Sequence, residues 1–66
     1  MNNIASERRR IGMNQEEFAK RLGCCKTSLS LYEGGAAVPS DRLKKMADIF
    51  GCTTDYLLAR TEERVG

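Results

Sequence analysis

The stretch from Gln15 to Tyr32, QEEFAKRLGCCKTSLSLY, leaves little room for anything but a tight pair of short helices. Phe18, Ala19 and Leu22 recur at three- and four-residue spacing, which places them on one face of a first helix, while Leu29 and Tyr32 share a face of a second. Between them Gly23 is free to adopt the left-handed conformation that ends a helix without a Cβ penalty. Ala19 is small enough for the two helices to approach closely, and Leu29 is placed to fill the angle between them. The second helix is too polar on its other side, around Lys26, Thr27, Ser28 and Ser30, to be core packing alone.

The chain on either side of this pair, which occupies about residues 15–33, continues the helical pattern. A preceding helix is predicted over about Asn3 to Ile11, with Ile4, Arg8 and Ile11 on one face and Gly12 at its end. Arg8 is then a cation on an apolar side. Its stem either lies along the core with the guanidinium in water, or it has a partner inside the fold. Arg9 and Arg10 project in other directions and read as solvated surface balanced by Glu7. Asn14 before Gln15, Glu16 and Glu17 is a helix start in which Glu17 reaches back in a capping box. Cys25 stands at the corresponding place before the next helix, where a thiol is a poorer cap than a hydroxyl.

Gly34 and Gly35 end that helix, and GGAAVP is a loop. Ser40, just after Pro39, is read as the cap of a fourth helix carrying Leu43, Met46, Ala47 and Phe50, closed by Gly51. Thr53 is the cap of a short fifth helix with Tyr56, Leu57 and Leu58, and Glu62 to Gly66 reads as a frayed tail. The expected fold is a compact all-α, five-helix single domain over residues 1–66.

Sixty-six residues enclose too small a core for a deep substrate cavity, which disfavours an enzyme. Cys24, Cys25 and Cys52 are odd in number, two are adjacent, and the chain has no histidine. That pattern fits neither a disulfide framework nor a zinc site, so reduced thiols, no metal and no cofactor are expected, with redox sensing at Cys25 the minority reading. It also leaves a catalytic cysteine without a base. No apolar run is long enough to cross a bilayer and the start lacks a secretory signal, so the cytoplasm is the expected location. A formal net charge of +2 says little about nucleic acid, and the distribution of charge has to decide.

The small residue at Ala19, the glycine at Gly23, the aliphatic at Leu29 and the ending GCTTDYLLART resemble the phage-repressor and Cro-like family of helix-turn-helix DNA-binding regulators, over about Ile4 to Leu58. The resemblance implies a lambda-repressor-like domain in which Arg8 pairs with Glu33 and the third helix lies in the major groove of duplex DNA. It assigns base reading to Lys26, Thr27 and Leu31, with Ser30 second in rank. Phosphate contacts are expected from Gln15, Ser28 and Arg42. Because Ala36 and Ala37 stand where relatives often carry basic residues, the backbone N–H groups of Gly34, Gly35 and Ala36 are expected to substitute for them. Leu57 and Leu58 are the expected homodimer anchors. The implied function is a transcriptional regulator, most simply a repressor, whose partner is a double-stranded operator, with no membrane and no small-molecule ligand. The alternative is a protein-interaction module on the same fold, such as an antitoxin or a partner-binding regulator.

Overall fold

The boundaries between the second and third helices, and the end of the fourth, fall where the sequence supplies a cap or a glycine. The computed structural model describes residues 2–64. Among them it has five α-helices and no strand: α1 (Ile4–Arg10), α2 (Gln15–Leu22), α3 (Lys26–Glu33), α4 (Ser40–Phe50) and α5 (Thr54–Leu57). At the start of α2 the Asn14 side chain accepts from the Glu17 N–H at 2.8 Å and the Glu17 carboxylate accepts from the Asn14 N–H at 3.0 Å, a complete capping box. Thr53 caps α5 by accepting from the Tyr56 N–H at 3.1 Å.

Two boundaries differ from expectation. Asn3 lies before α1 and caps nothing with its side chain. Its amide instead donates to the Tyr56 carbonyl at 2.7 Å while its backbone N–H donates to the Leu57 carbonyl at 3.0 Å, so the chain start is tied to α5. Ser40 is the first residue of α4 rather than its cap. Pro39, at φ −56° and ψ 143°, takes the cap position itself and makes no side-chain cap bond, because its ring offers no acceptor.

Ile4, Phe18, Leu29, Met46 and Leu57 are the largest fully buried side chains, one from each helix. Burial of a side chain of this size stabilises by about 1.5–3 kcal/mol. Phe18 and Phe50 stack with centroids 4.9 Å apart, joining α2 to α4. The closest helix associations are α2 with α3 and α4 with α5.

Behind this core lies a charged group in which Glu7 and Arg10 are neighbours on one helix but the third member, Arg64, is remote in sequence. Glu7 is only 4% exposed. Its Oε1 accepts from Arg10 Nε at 3.1 Å and from Arg64 Nε and Nη2 at 3.0 and 2.7 Å. Both arginines also donate to the Phe50 carbonyl, and Arg64 Nη1 reaches the Gly51 carbonyl at 3.4 Å. These are carbonyls at the end of α4 that lack helical partners, and cations there are favoured by the helix dipole as well. The Thr53 N–H donates to the Arg64 carbonyl at 3.0 Å. Arg10 is therefore not simply solvated surface, and the expected frayed tail is pinned at Arg64. Val65 and Gly66, the rest of that tail, lie outside the described residues.

Burial pushes the Glu7 carboxyl up, and the guanidinium groups of Arg64 and then Arg10 more than reverse this, leaving it below its ordinary 4.5. A carboxyl whose folded pKa is lowered contributes stability that is full above its unfolded value and is lost as pH falls through the folded one. In denaturant titrations, Glu7→Gln should be less stable than the unaltered chain at neutral pH. The two curves should converge as the pH is lowered from about 4.5 through the folded value. A gap that stays constant over that range contradicts the clamp.

Candidate nucleic-acid interface

The α2–α3 pair is built as its residue sizes require. Gly23 ends α2 at φ 81°, and the N–H groups of Gly23 and Cys24 both reach the Ala19 carbonyl at 3.0 Å. Ala19 and Leu29 are buried in the angle between the helices. Because Leu29 and Tyr32 face inward, the helical period turns Thr27, Ser30 and Leu31 outward, while Lys26 stands at the open first turn on the flank beside the α2 start, and all four are exposed. Leu31 is 59% exposed and is the exposed large hydrophobic side chain among the described residues. The outward face of α3 thus presents two hydroxyls and an apolar tip, with the Lys26 ammonium at its amino-terminal edge.

The α3 start is capped by sulfur. Cys25 Sγ accepts from the Ser28 N–H at 3.4 Å and lies 3.2 Å from the Ser28 hydroxyl, and Ser28 is half-buried beside the exposed face. The Ser28 hydroxyl and then its N–H hold the Cys25 thiol below its ordinary pKa, whereas burial pushes the Cys52 thiol up. Cys25 is exposed, Cys24 and Cys52 are half-buried, and all three are free. The described residues contain no cluster of three or more His, Cys, Asp or Glu placed to hold a metal ion.

The last turn of α3 carries the polar framework. Arg8 Nε donates to Glu33 Oε2 at 2.7 Å and Arg8 Nη1 to the Met13 carbonyl at 2.8 Å, with Nη2 3.5 Å from Glu33 Oε1. The two side chains are 10% and 9% exposed. Gln15 Nε2 also donates to Glu33 Oε1, at 2.9 Å, so the carboxylate fixes which end of the Gln15 amide faces inward and leaves its second N–H uncommitted to Glu33. Beside it an open cleft of about 370 Å³ is lined by Arg8, Asn14, Gln15, Glu16 and Lys26. On the neighbouring side, Arg42 Nη1 donates to the Tyr32 hydroxyl at 2.6 Å, and its guanidinium carbon lies 6.0 Å from the Tyr32 ring centroid.

Two sets of expected contacts fail on geometry. Gly34, Gly35 and Ala36 have no free N–H to offer. The Gly34 N–H goes to the Ser30 and Leu31 carbonyls at 3.0 and 3.1 Å, that of Gly35 to Tyr32 at 3.1 Å and that of Ala36 to Leu31 at 3.0 Å. The end of α3 uses all three to satisfy its own last carbonyls, so they are not phosphate donors. Leu57, expected at a dimer contact, is 0% exposed and belongs to the core. Leu58 next to it is half-buried.

The contacts from Gln15 to Glu33 and from Arg42 to Tyr32 were not part of the sequence expectation. Each joins two different helices, across 18 and 10 residues, so no periodicity within one helix links the partners. The readable signal was Glu33 itself, since a carboxylate at the inward end of α3 with four oxygen lone-pair positions has room for Gln15 as well as Arg8.

A model of the helix-turn-helix family matches residues 4–57, which takes in all five helices. The chain is 36% identical over 60 residues to the HTH-type transcriptional regulator ImmR of Bacillus subtilis (strain 168), a similarity covering 89% of this chain and 47% of that protein. It thus spans about half the length of that relative. No solved structure matches the chain.

Proposed function

This chain belongs to the helix-turn-helix family, and we propose that it is a sequence-specific, duplex-DNA-binding transcriptional regulator, a cytoplasmic repressor that acts as a dimer on a two-fold symmetric operator. The observation that carries this reading is the outward face of α3 with its amino-terminal edge, where Lys26, Thr27, Ser30 and Leu31 stand exposed on a helix whose inward side is locked by Leu29 and Tyr32. The similarity to the HTH-type transcriptional regulator ImmR supports the regulatory role.

The major groove admits an α-helix, and each base pair displays a distinct edge of donors, acceptors and methyl groups there. Lys26, at the start of α3, donates to guanine O6 and N7. Thr27 beside it hydrogen-bonds a base edge or touches a thymine methyl, and Leu31 one turn on makes an apolar methyl contact. Ser30 adds a second hydroxyl at the rim. Gln15, Ser28 and Arg42 bond phosphate oxygens and set the register, which carries no base information. One domain of this size buries little surface on DNA, and two copies on half-sites centred about 34–36 Å apart supply the specificity one lacks. Leu58 remains as the apolar contact offered to the second copy.

Among the described residues no helix is long and apolar enough to cross a membrane. The protein-interaction alternative requires an exposed apolar patch on α5 with no salt-sensitive DNA binding, and Leu57 is buried.

Selection of bound sequences from a random duplex pool tests the reading. The expected product is a two-fold symmetric site, bound with an affinity that falls steeply as salt rises. Failure to enrich any sequence, with no salt-sensitive binding, would favour the protein-interaction module instead.

A further inference from the structure

We infer that Tyr32 is a positioning residue that holds Arg42 ready for its phosphate, so that the base-reading helix and the phosphate contact from α4 move as one body. The inference rests on the DNA-binding reading above and goes beyond it by assigning a role to a side chain that points into the fold. Tyr32 is buried, in the last turn of α3, and Arg42 is half-buried in the first turn of α4. Their connecting segment, residues 34–39, contains no helix and ends in Pro39. Apart from the core, the 2.6 Å bond from Arg42 Nη1 to the Tyr32 hydroxyl joins α3 to α4 across that segment.

The chemistry of the pair favours a holding role over a neutralising one. The phenol accepts one N–H and carries no charge, so the guanidinium keeps its full positive charge and most of its fork of donors. A carboxylate in the same place would compete with a phosphate. A free arginine loses many rotamers when it binds, and a guanidinium already laid beside a buried ring and bonded to its hydroxyl loses fewer. The ring is fixed by the same inward face of α3 that carries Leu29. Any displacement of α3 in the groove therefore carries Arg42 with it.

Tyr32→Phe removes the hydroxyl and keeps the ring, which separates holding from core packing. Binding of the selected duplex should be measured for the unaltered chain, Tyr32→Phe, Arg42→Ala and the double variant over a range of salt. Arg42→Ala should weaken good and poor sites alike and flatten the salt dependence by about one counterion per subunit. Tyr32→Phe should weaken binding by about three- to tenfold, the worth of one ordinary hydrogen bond, while leaving the salt slope intact because the charge remains. In the Arg42→Ala background Tyr32→Phe should then have no further effect. In the DNA-free protein, nuclear magnetic resonance of the Arg42 side chain should show faster guanidinium motion in Tyr32→Phe. Equal losses from Tyr32→Phe with and without Arg42, or guanidinium motion unchanged by it, would overturn the inference while leaving the DNA-binding reading standing. An unaltered chain that binds no duplex would overturn that reading, and the inference with it.

Discussion

Replacing Arg8 by Met should lower folding stability by about 3 kcal/mol or more, whereas replacing Arg8 and Glu33 together by apolar residues of similar size should cost much less. The asymmetry follows from where the charge is left. The pair is about nine-tenths buried, and the guanidinium answers both the Glu33 carboxylate, at 2.7 Å, and the Met13 carbonyl, at 2.8 Å. With Met at position 8 the carboxylate keeps only the Gln15 amide, at 2.9 Å, so a charge stays buried with one neutral donor. Removing both partners removes the stranded charge and leaves the Gln15 amide and the Met13 carbonyl to find water near the open cleft. For a domain of this size total stability is about 3–10 kcal/mol, so the single variant stands at the edge of folding. Denaturant unfolding of the two single variants and the double variant decides it. A loss in the double variant equal to the sum of the two single losses would mean that the pair contributes nothing as a pair.

That pair shows which features were legible from the residues. The reading of α2 and α3 rested on side-chain size and backbone freedom at Ala19, Gly23 and Leu29. Those are local properties, and the structure puts a buried alanine, a left-handed glycine and a buried leucine at those places. The capping box at Asn14 and Glu17 is equally local. Arg8 and Glu33 came from the family resemblance, since 25 residues separate them and no periodicity links them.

Where local chemistry was ambiguous or the partner was remote, expectation and structure parted. Ser40 has a capping side chain, but the proline before it takes the cap geometry. The N–H groups after a helix look free in sequence, yet at Gly34, Gly35 and Ala36 the chain folds back and spends them on α3. Leu57 and Leu58 are adjacent apolar residues in and just after a helix of four residues, too short for a period to say which one faces inward. Arg64 meets Glu7 across 57 residues. In the site, the outward face of α3 followed directly once its inward residues were known, while the bonds that hold Gln15 and Arg42 depended on tertiary placement.

Among the proposed DNA contacts, Lys26→Ala should have the largest effect on sequence choice. Lys26 is exposed at the start of α3 and lines the cleft beside Arg8 and Gln15, while its backbone position is fixed by the cap at Cys25. Truncating it removes no buried contact, so the fold should be unchanged by circular dichroism and thermal unfolding. The cost on the best duplex should be roughly 1–3 kcal/mol, the range for loss of a contact to guanine O6 and N7. A lost base contact also changes the pattern, because the base it selected is no longer distinguished from the others. Loss of a phosphate contact lowers every site together.

The most direct measurement is the affinity of the unaltered chain and of Lys26→Ala for a panel of duplexes carrying every single-base change in one half-site, at fixed salt. Lys26→Ala should abolish the preference at one base pair per half-site and preserve it at the rest. Uniform weakening across the panel, with every preference intact, would contradict α3 as the reading helix in this register.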